Sequence, residues 1–180
     1  MDEYPERMAK CIKKVRDIMI DYQATHNITG RCISNSYLFR DMVRQMGFPC
    51  KMVATMSVSE TREGDKIANM YFCVHMIVQM WDDCIFDVSH EIYKNENKSY
   101  YTNFKDFADE YKYITETYLK QHGKEMVGVG LSLSDFLKKF LDFQKHAERV
   151  NAGESIEKDD YYHSQEEHIH KEMNIFMGSL

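Results

Sequence analysis

The chain has 180 residues, the usual size of one domain and long enough to bury a hydrophobic core. Hydrophobic residues make up 43% and charged residues 29% of the sequence, an ordinary globular composition that argues against wholesale disorder. The formal net charge of -6 argues against a broad phosphate-binding surface, so nucleic acid is not an expected partner.

The compartment is indicated by what the sequence lacks. No stretch approaches the roughly 18 apolar residues of a membrane span, so no membrane partner is expected. The N-terminus has no apolar segment typical of a secretory signal. The cysteines number 5, without a C-x-x-C pair, which disfavours a disulfide scaffold or a thiolate zinc site. We therefore predict a reducing compartment, the cytoplasm.

Two helices are predicted at the start of the chain. Residues 5–25 carry apolar side chains at helical spacing on one face. A loop over Thr25–Arg31 leads into a second predicted helix from Cys32 to Met46. Gly47 and Pro49 just beyond it predict the end of this helix.

The apolar period then changes to that of strands. Residues 50–58 predict a strand, the charged residues 59–65 a loop, and the apolar run 70–81 a central strand. Asp82 and Asp83 indicate a turn into a return strand over residues 84–88, and residues 89–102 are expected to be irregular.

The rest of the chain is predicted to be helical, over residues 103–122, 133–149 and 159–177. Residues 1–150 are expected to form one thiol-bearing domain. Residues 151–180 would be a linker and an amphipathic helix, either part of that domain or a partner-binding segment. The order of elements predicts an α+β fold with an antiparallel sheet and a cysteine-bearing helix packed on it.

Three residues form a candidate catalytic site. Cys32 opens a helix, where partial positive charge and free N–H groups stabilise a thiolate. A thiol nucleophile also needs an imidazole to move its proton and a third group to orient that imidazole. The predicted hairpin supplies His75 in its first strand and Asp87 in its second.

These segments resemble the transglutaminase-like branch of the papain-like superfamily. The resemblance covers about residues 28–90: a G-x-C helix start at Gly30–Cys32, an apolar helix, the run Gly47–Lys51 before a strand, and then His75 and Asp87. It implies a papain-like core with Cys32 as nucleophile, His75 as general base and acid, and Asp87 as the residue that orients the imidazole. Two departures are Ile77, where the family usually has tryptophan, and a short interval from His75 to Asp87.

The same residues also resemble, more distantly, the arylamine N-acetyltransferases, which share a Gly-x-Cys-x-x-Asn helix start and a histidine followed by Asp-Val. The chain is too short for the usual three-domain layout of that family, and it lacks the paired glycines before the cysteine.

The length of the hairpin loop decides whether Asp87 reaches His75. A two-residue turn at Asp82 and Asp83 would pair Val78 with Asp87 and place the carboxylate on the sheet face opposite to His75. The triad therefore requires an odd-numbered loop, such as residues 81–83, or a bulge.

An oxyanion hole would use the Cys32 backbone N–H and a second donor, for which Gln23, Asn27 and Asn35 are the candidates by position.

The tyrosine pairs at residues 100–101 and 161–162 are expected to be exposed and to line a substrate groove. No metal or organic cofactor is implied; the C-terminal histidines lack the carboxylate pattern of a metal site, and a solvated helix explains them.

The expected function is acyl transfer through an acyl-enzyme on Cys32, with hydrolysis of an amide or peptide as the outcome and a protein or peptide as the substrate. Acyl transfer to an amine, as in transglutaminases or arylamine N-acetyltransferases, is one alternative. A non-catalytic protein-binding module of the same fold is the other, because one fold hosts many functions.

Overall fold

The predicted helical and strand patterns become six helices and a curled four-stranded antiparallel sheet in the computed structural model, which describes residues 3–95, 97–124 and 132–180. Met1 and Asp2, part of the segment in which no secretory signal is expected, lie outside the described residues. In chain order the elements are α1 (Glu3–Thr25), α2 (Cys32–Gln45), β1 (Cys50–Glu63), β2 (Lys66–Met80), β3 (Ile85–Phe86), α3 (His90–Tyr93), β4 (Asn97–Tyr101), α4 (Phe104–His122), α5 (Leu133–Asn151) and α6 (Asp160–Gly178).

The β1–β2 hairpin is longer than the sequence suggested. Glu63 pairs with Lys66, and the turn between them uses Gly64, whose φ of 63° is the left-handed conformation that glycine adopts without strain. The prediction of a loop over residues 59–65 is therefore wrong. Charged side chains are compatible with a strand here because the outer end of the ribbon is solvated, and Glu60 and Arg62 form an ion pair on one face.

A second difference lies after the hairpin, where residues 89–102 are predicted to be irregular. The structure has the short helix α3 there, followed by β4, which pairs with β1. The strand order is β3-β2-β1-β4, so β4 is an edge strand. Its polar sequence gives no apolar alternation because neither face of this strand is fully buried.

The two long strands have one apolar face and one polar face. Even-numbered residues of β1, such as Met52 and Met56, pair with apolar residues of β2. On the same face, Phe72 of β2 contacts Phe107 of α4. Odd-numbered residues carry buried polar side chains on the other face: Thr55, Ser57, Ser59 and His75. Since buried polar side chains cost free energy unless they are hydrogen bonded, this face is where a functional site is expected.

The C-terminal helix α6 packs against α1 and α2 and buries Tyr162 and Ile169. Asp159 caps α6 by accepting a hydrogen bond from the Tyr162 backbone N–H, and it also forms an ion pair with Arg31, next to Cys32. The segment beyond residue 150 thus packs directly behind the cysteine-bearing helix. In the described ranges, no helix combines the length and the apolar character that crossing a bilayer requires.

Candidate functional site

Cys32 is the first residue of α2 and is partly exposed. The residue before it, Arg31, has φ of -114° and ψ of 27°, and its side chain makes no capping hydrogen bond to the helix. The first helical bond runs from the Asn35 N–H to the Arg31 carbonyl, at 2.8 Å. The N–H groups of the first turn are therefore not capped by that side chain, and the positive end of the helix dipole lies at the thiol.

The hairpin carrying the other two residues has the three-residue loop that a triad requires. Val78 pairs with Phe86 and Gln79 with Ile85, and the Met80 N–H donates to the Cys84 carbonyl at 2.8 Å. The loop is thus residues 81–83, and Asp83 takes the left-handed conformation with φ of 63°. This register puts Asp87 opposite Ile77, on the same sheet face as His75.

His75 and Asp87 are joined by a buried hydrogen bond of 2.9 Å between Nε2 and Oδ1. Only 2% of His75 and 7% of Asp87 is exposed, so water screens this pair weakly. The Ser89 backbone N–H donates to the same carboxylate oxygen at 3.0 Å, and the Tyr100 hydroxyl donates to Oδ2 at 2.5 Å. The carboxylate therefore has a fixed orientation, and it fixes the ring of His75.

The environment of His75 favours the imidazolium. Burial alone lowers the pKa of His75, but hydrogen bonds with Asp87 and with the Cys32 thiol, together with the charges of both groups, outweigh it and raise the pKa to about 10. Because Nε2 bonds Asp87, the nitrogen left for the thiol is Nδ1. Burial and the charge of Asp87 raise the pKa of Tyr100, so that its hydroxyl stays a donor.

Two of the three candidate oxyanion donors have other hydrogen-bond partners. The Gln23 amide donates to the Val88 carbonyl at 2.7 Å and accepts from the His90 N–H at 2.9 Å, so it holds the segment that follows Asp87. Asn27 lies exposed in the α1–α2 loop with φ of 51°. The structure thus brings Cys32, His75 and Asp87 together and places Gln23 as a support of Asp87.

Asn35 is fully buried in the first turn of α2. Its side-chain oxygen accepts from the Tyr161 hydroxyl at 2.6 Å, and its amide nitrogen donates to the Ser89 hydroxyl at 3.4 Å. Asn35 therefore connects α2 by hydrogen bonds to α6 and to Ser89. This network is one of the connections between the C-terminal helix and the cysteine-bearing helix, and it also reaches the Asp87 segment.

A cavity of about 330 Å³ opens beside the thiol. Cys32 and Ile33 line it from α2, Phe143 and His146 from α5, and Ile156 from the segment before α6. A substrate group bound there would lie against the N-terminus of α2, where a carbonyl oxygen can meet free N–H groups.

Tyr100 is the site residue that the sequence did not assign. It was expected to be exposed in a groove, yet its hydroxyl bonds the orienting carboxylate, and its ring stacks over His75 at a centroid distance of 6.4 Å. Tyr162, also expected to be exposed, is buried. The signal is absent from the sequence because Tyr100 reaches Asp87 only through the pairing of β4 with β1.

Comparison of the chain with protein-family profiles, with curated proteins and with solved structures finds no match in any of the three.

Proposed function

We propose that this protein is a transglutaminase-like, papain-related thiol enzyme that hydrolyses an amide or peptide bond through an acyl-enzyme on Cys32. The observation that carries the proposal is the arrangement of His75, which bonds the Asp87 carboxylate through one ring nitrogen and has Cys32 as a neighbour that helps to raise its pKa. A buried histidine with both partners is the arrangement that activates a thiol nucleophile.

In the proposed reaction the Cys32 thiolate attacks the substrate carbonyl carbon, and a C–S bond forms. The Cys32 backbone N–H stabilises the oxyanion at the uncapped end of α2. His75, as imidazolium, gives its Nδ1 proton to the leaving amine as the C–N bond breaks. Water then attacks the thioester while His75 takes a proton from it, and breakage of the C–S bond restores the thiolate.

Hydrolysis is favoured over transfer because Cys32 is partly exposed, so water reaches the thioester. We propose a protein or peptide as substrate, with no nucleic acid, membrane or cofactor involved. All five cysteines are free thiols, and the proposed chemistry needs a free thiolate; on that basis we propose the reducing cytoplasm as the compartment.

The proposal is tested by trapping the acyl-enzyme. The protein is mixed with p-nitrophenyl acetate, quenched in acid, digested and analysed by mass spectrometry, and we expect an acetyl group on Cys32 with a burst of p-nitrophenol. Cys32→Ala should abolish both, and His75→Ala should slow the burst by about 100-fold or more. Cys84→Ser is the matched control, because Cys84 is an exposed thiol in the hairpin loop region.

Acetylation that is equal at Cys32 and Cys84, and unchanged in His75→Ala, would overturn the proposal. In that case the same fold would be better explained as a protein-binding module.

A further inference from the structure

The cavity of about 330 Å³ beside Cys32 has an apolar wall to which the C-terminal helices contribute. Besides Cys32, its apolar lining residues are Ile33 of α2, Phe143 of α5 and Ile156 of the segment between α5 and α6. All three pack against the hydrophobic core and are only partly buried, so part of each side chain is left exposed. An apolar group that binds there removes this surface from water, which is favourable.

The helix that carries Phe143 runs past the thiol site. Burial raises the pKa of the Cys73 thiol, the charge of Cys32 raises it further, and the charge of Lys139 lowers it. Cys73 therefore has both Cys32 and Lys139 as neighbours. The Lys139 Nζ atom also lies over the Phe143 ring, 5.7 Å from its centroid. The apolar wall and the nucleophile thus belong to one continuous site.

The charged residues and the histidine of the lining do not favour a charged ligand. Arg31 and Asp159 form an ion pair with each other, so their charges are balanced. Glu157 is exposed, so water screens its charge. The Nε2 atom of His146 is inaccessible to solvent, so a ligand in the cavity does not reach it. The feature that a ligand can use is the apolar wall.

We propose that this cavity, named here the acyl pocket, binds an apolar side chain of the peptide substrate, carried by the residue whose carbonyl Cys32 attacks. Because Cys32 lines the pocket, a side chain bound there holds the carbonyl of its own residue beside the thiolate. Phe143 and Ile156 lie outside residues 28–90, to which the family resemblance is confined, so the selectivity is a property of the C-terminal part of this chain. The proposal deepens the proposed function and rests on it.

The test compares the acylation of Cys32 by the p-nitrophenyl esters of acetate, butyrate and succinate. In each reaction the thiolate attacks the ester carbonyl, a C–S bond forms and p-nitrophenolate leaves. Each burst rate is divided by the rate of the same ester with glutathione, which removes the intrinsic reactivity of the ester. We expect butyrate to be favoured over acetate by about tenfold, the size expected for burying two methylene groups. The succinate monoester should lose this advantage, because its carboxylate would be taken out of water.

Phe143→Asp should remove most of the preference for butyrate, because it places a carboxylate in the apolar wall. Leu141→Asp is the matched control, because Leu141 is 42% exposed on the same helix and the substitution adds the same charge. An equal loss of preference in both variants would mean a general effect of charge and would overturn the acyl pocket. A preference that survives Phe143→Asp would overturn it as well.

A measurement on the unaltered protein needs no variant. Hexanamide should slow the iodoacetamide alkylation of Cys32, whereas acetamide at equal concentration should not; equal effects would contradict the proposal. The two failures are distinguishable. If the proposed function fails, no ester acylates Cys32 faster than it acylates glutathione. If the acyl pocket alone fails, the bursts at Cys32 are fast and do not depend on the length of the acyl chain.

Discussion

Replacing Asp87 by asparagine removes the charge that holds His75 and keeps the shape of the side chain. Asp87 accepts three hydrogen bonds, from His75, the Ser89 N–H and Tyr100. A bond to a charged acceptor contributes about 1.5–3 kcal/mol and a bond to a neutral one about 0.5–1.5 kcal/mol. We therefore expect Asp87→Asn to lower the free energy of unfolding by about 3 kcal/mol at pH 7, measured by urea denaturation followed by circular dichroism.

The pH dependence of the lost unfolding free energy tests whether the interaction of Asp87 with His75 causes it. The pKa of His75 is raised in the folded state, so its stabilising contribution is fully present below the ordinary value of 6.5 and is lost as the pH rises through about 10. The stability difference between the two proteins should therefore shrink between neutral pH and pH above 10. A difference below about 1 kcal/mol at pH 7, or one that stays constant across this range, would refute the reasoning.

Three other substitutions have defined outcomes. Tyr100→Phe should destabilise the fold by about 1.5–3 kcal/mol, because it removes one donor to a buried carboxylate, whereas Tyr113→Phe at an exposed site should cost less than about 0.5 kcal/mol; urea titration compares them. Asp159→Ala should lower the urea midpoint at pH 7. A hydrogen bond from Arg31 lowers the pKa of Asp159, so the lost stability should disappear as the pH falls below 3.8 and through the folded-state pKa. A loss of stability that does not depend on pH would contradict the ion pair. Asp83→Gly should raise the thermal midpoint by the equivalent of about 0.5–1 kcal/mol, since φ is 63° there, and an unchanged or lower midpoint would show that the loop bears no strain.

The helices were predictable because each buries one face at a regular spacing. The predicted start of α2 at Cys32 agrees with the structure, and the predicted ends of the later helices lie within two residues of the observed ones. The parity of the hairpin showed that Asp87 reaches the face of His75 only through an odd-numbered loop or a bulge, and the structure has the odd-numbered loop, Trp81–Asp83.

Contacts between distant segments were not predictable from local patterns. β4 is a polar edge strand whose existence depends on its pairing with β1, and Tyr100 reaches the site only through that pairing. Gln23 was selected for its position before the cysteine, yet its partners are Val88 and His90, far along the chain. A single sequence shows which residues are suited to a site but not which distant groups satisfy their hydrogen bonds.

The central claim is that His75 activates the thiol of Cys32, and its most direct test is the rate of iodoacetamide alkylation at about pH 6, located by peptide mass mapping. An ordinary thiol is almost wholly protonated at that pH, and the exposed Cys84 serves as an internal standard in the same sample. We predict that Cys32 reacts at least about tenfold faster than Cys84 and that His75→Ala removes the excess. Alkylation of Cys32 no faster than that of Cys84 in the folded protein would contradict the account.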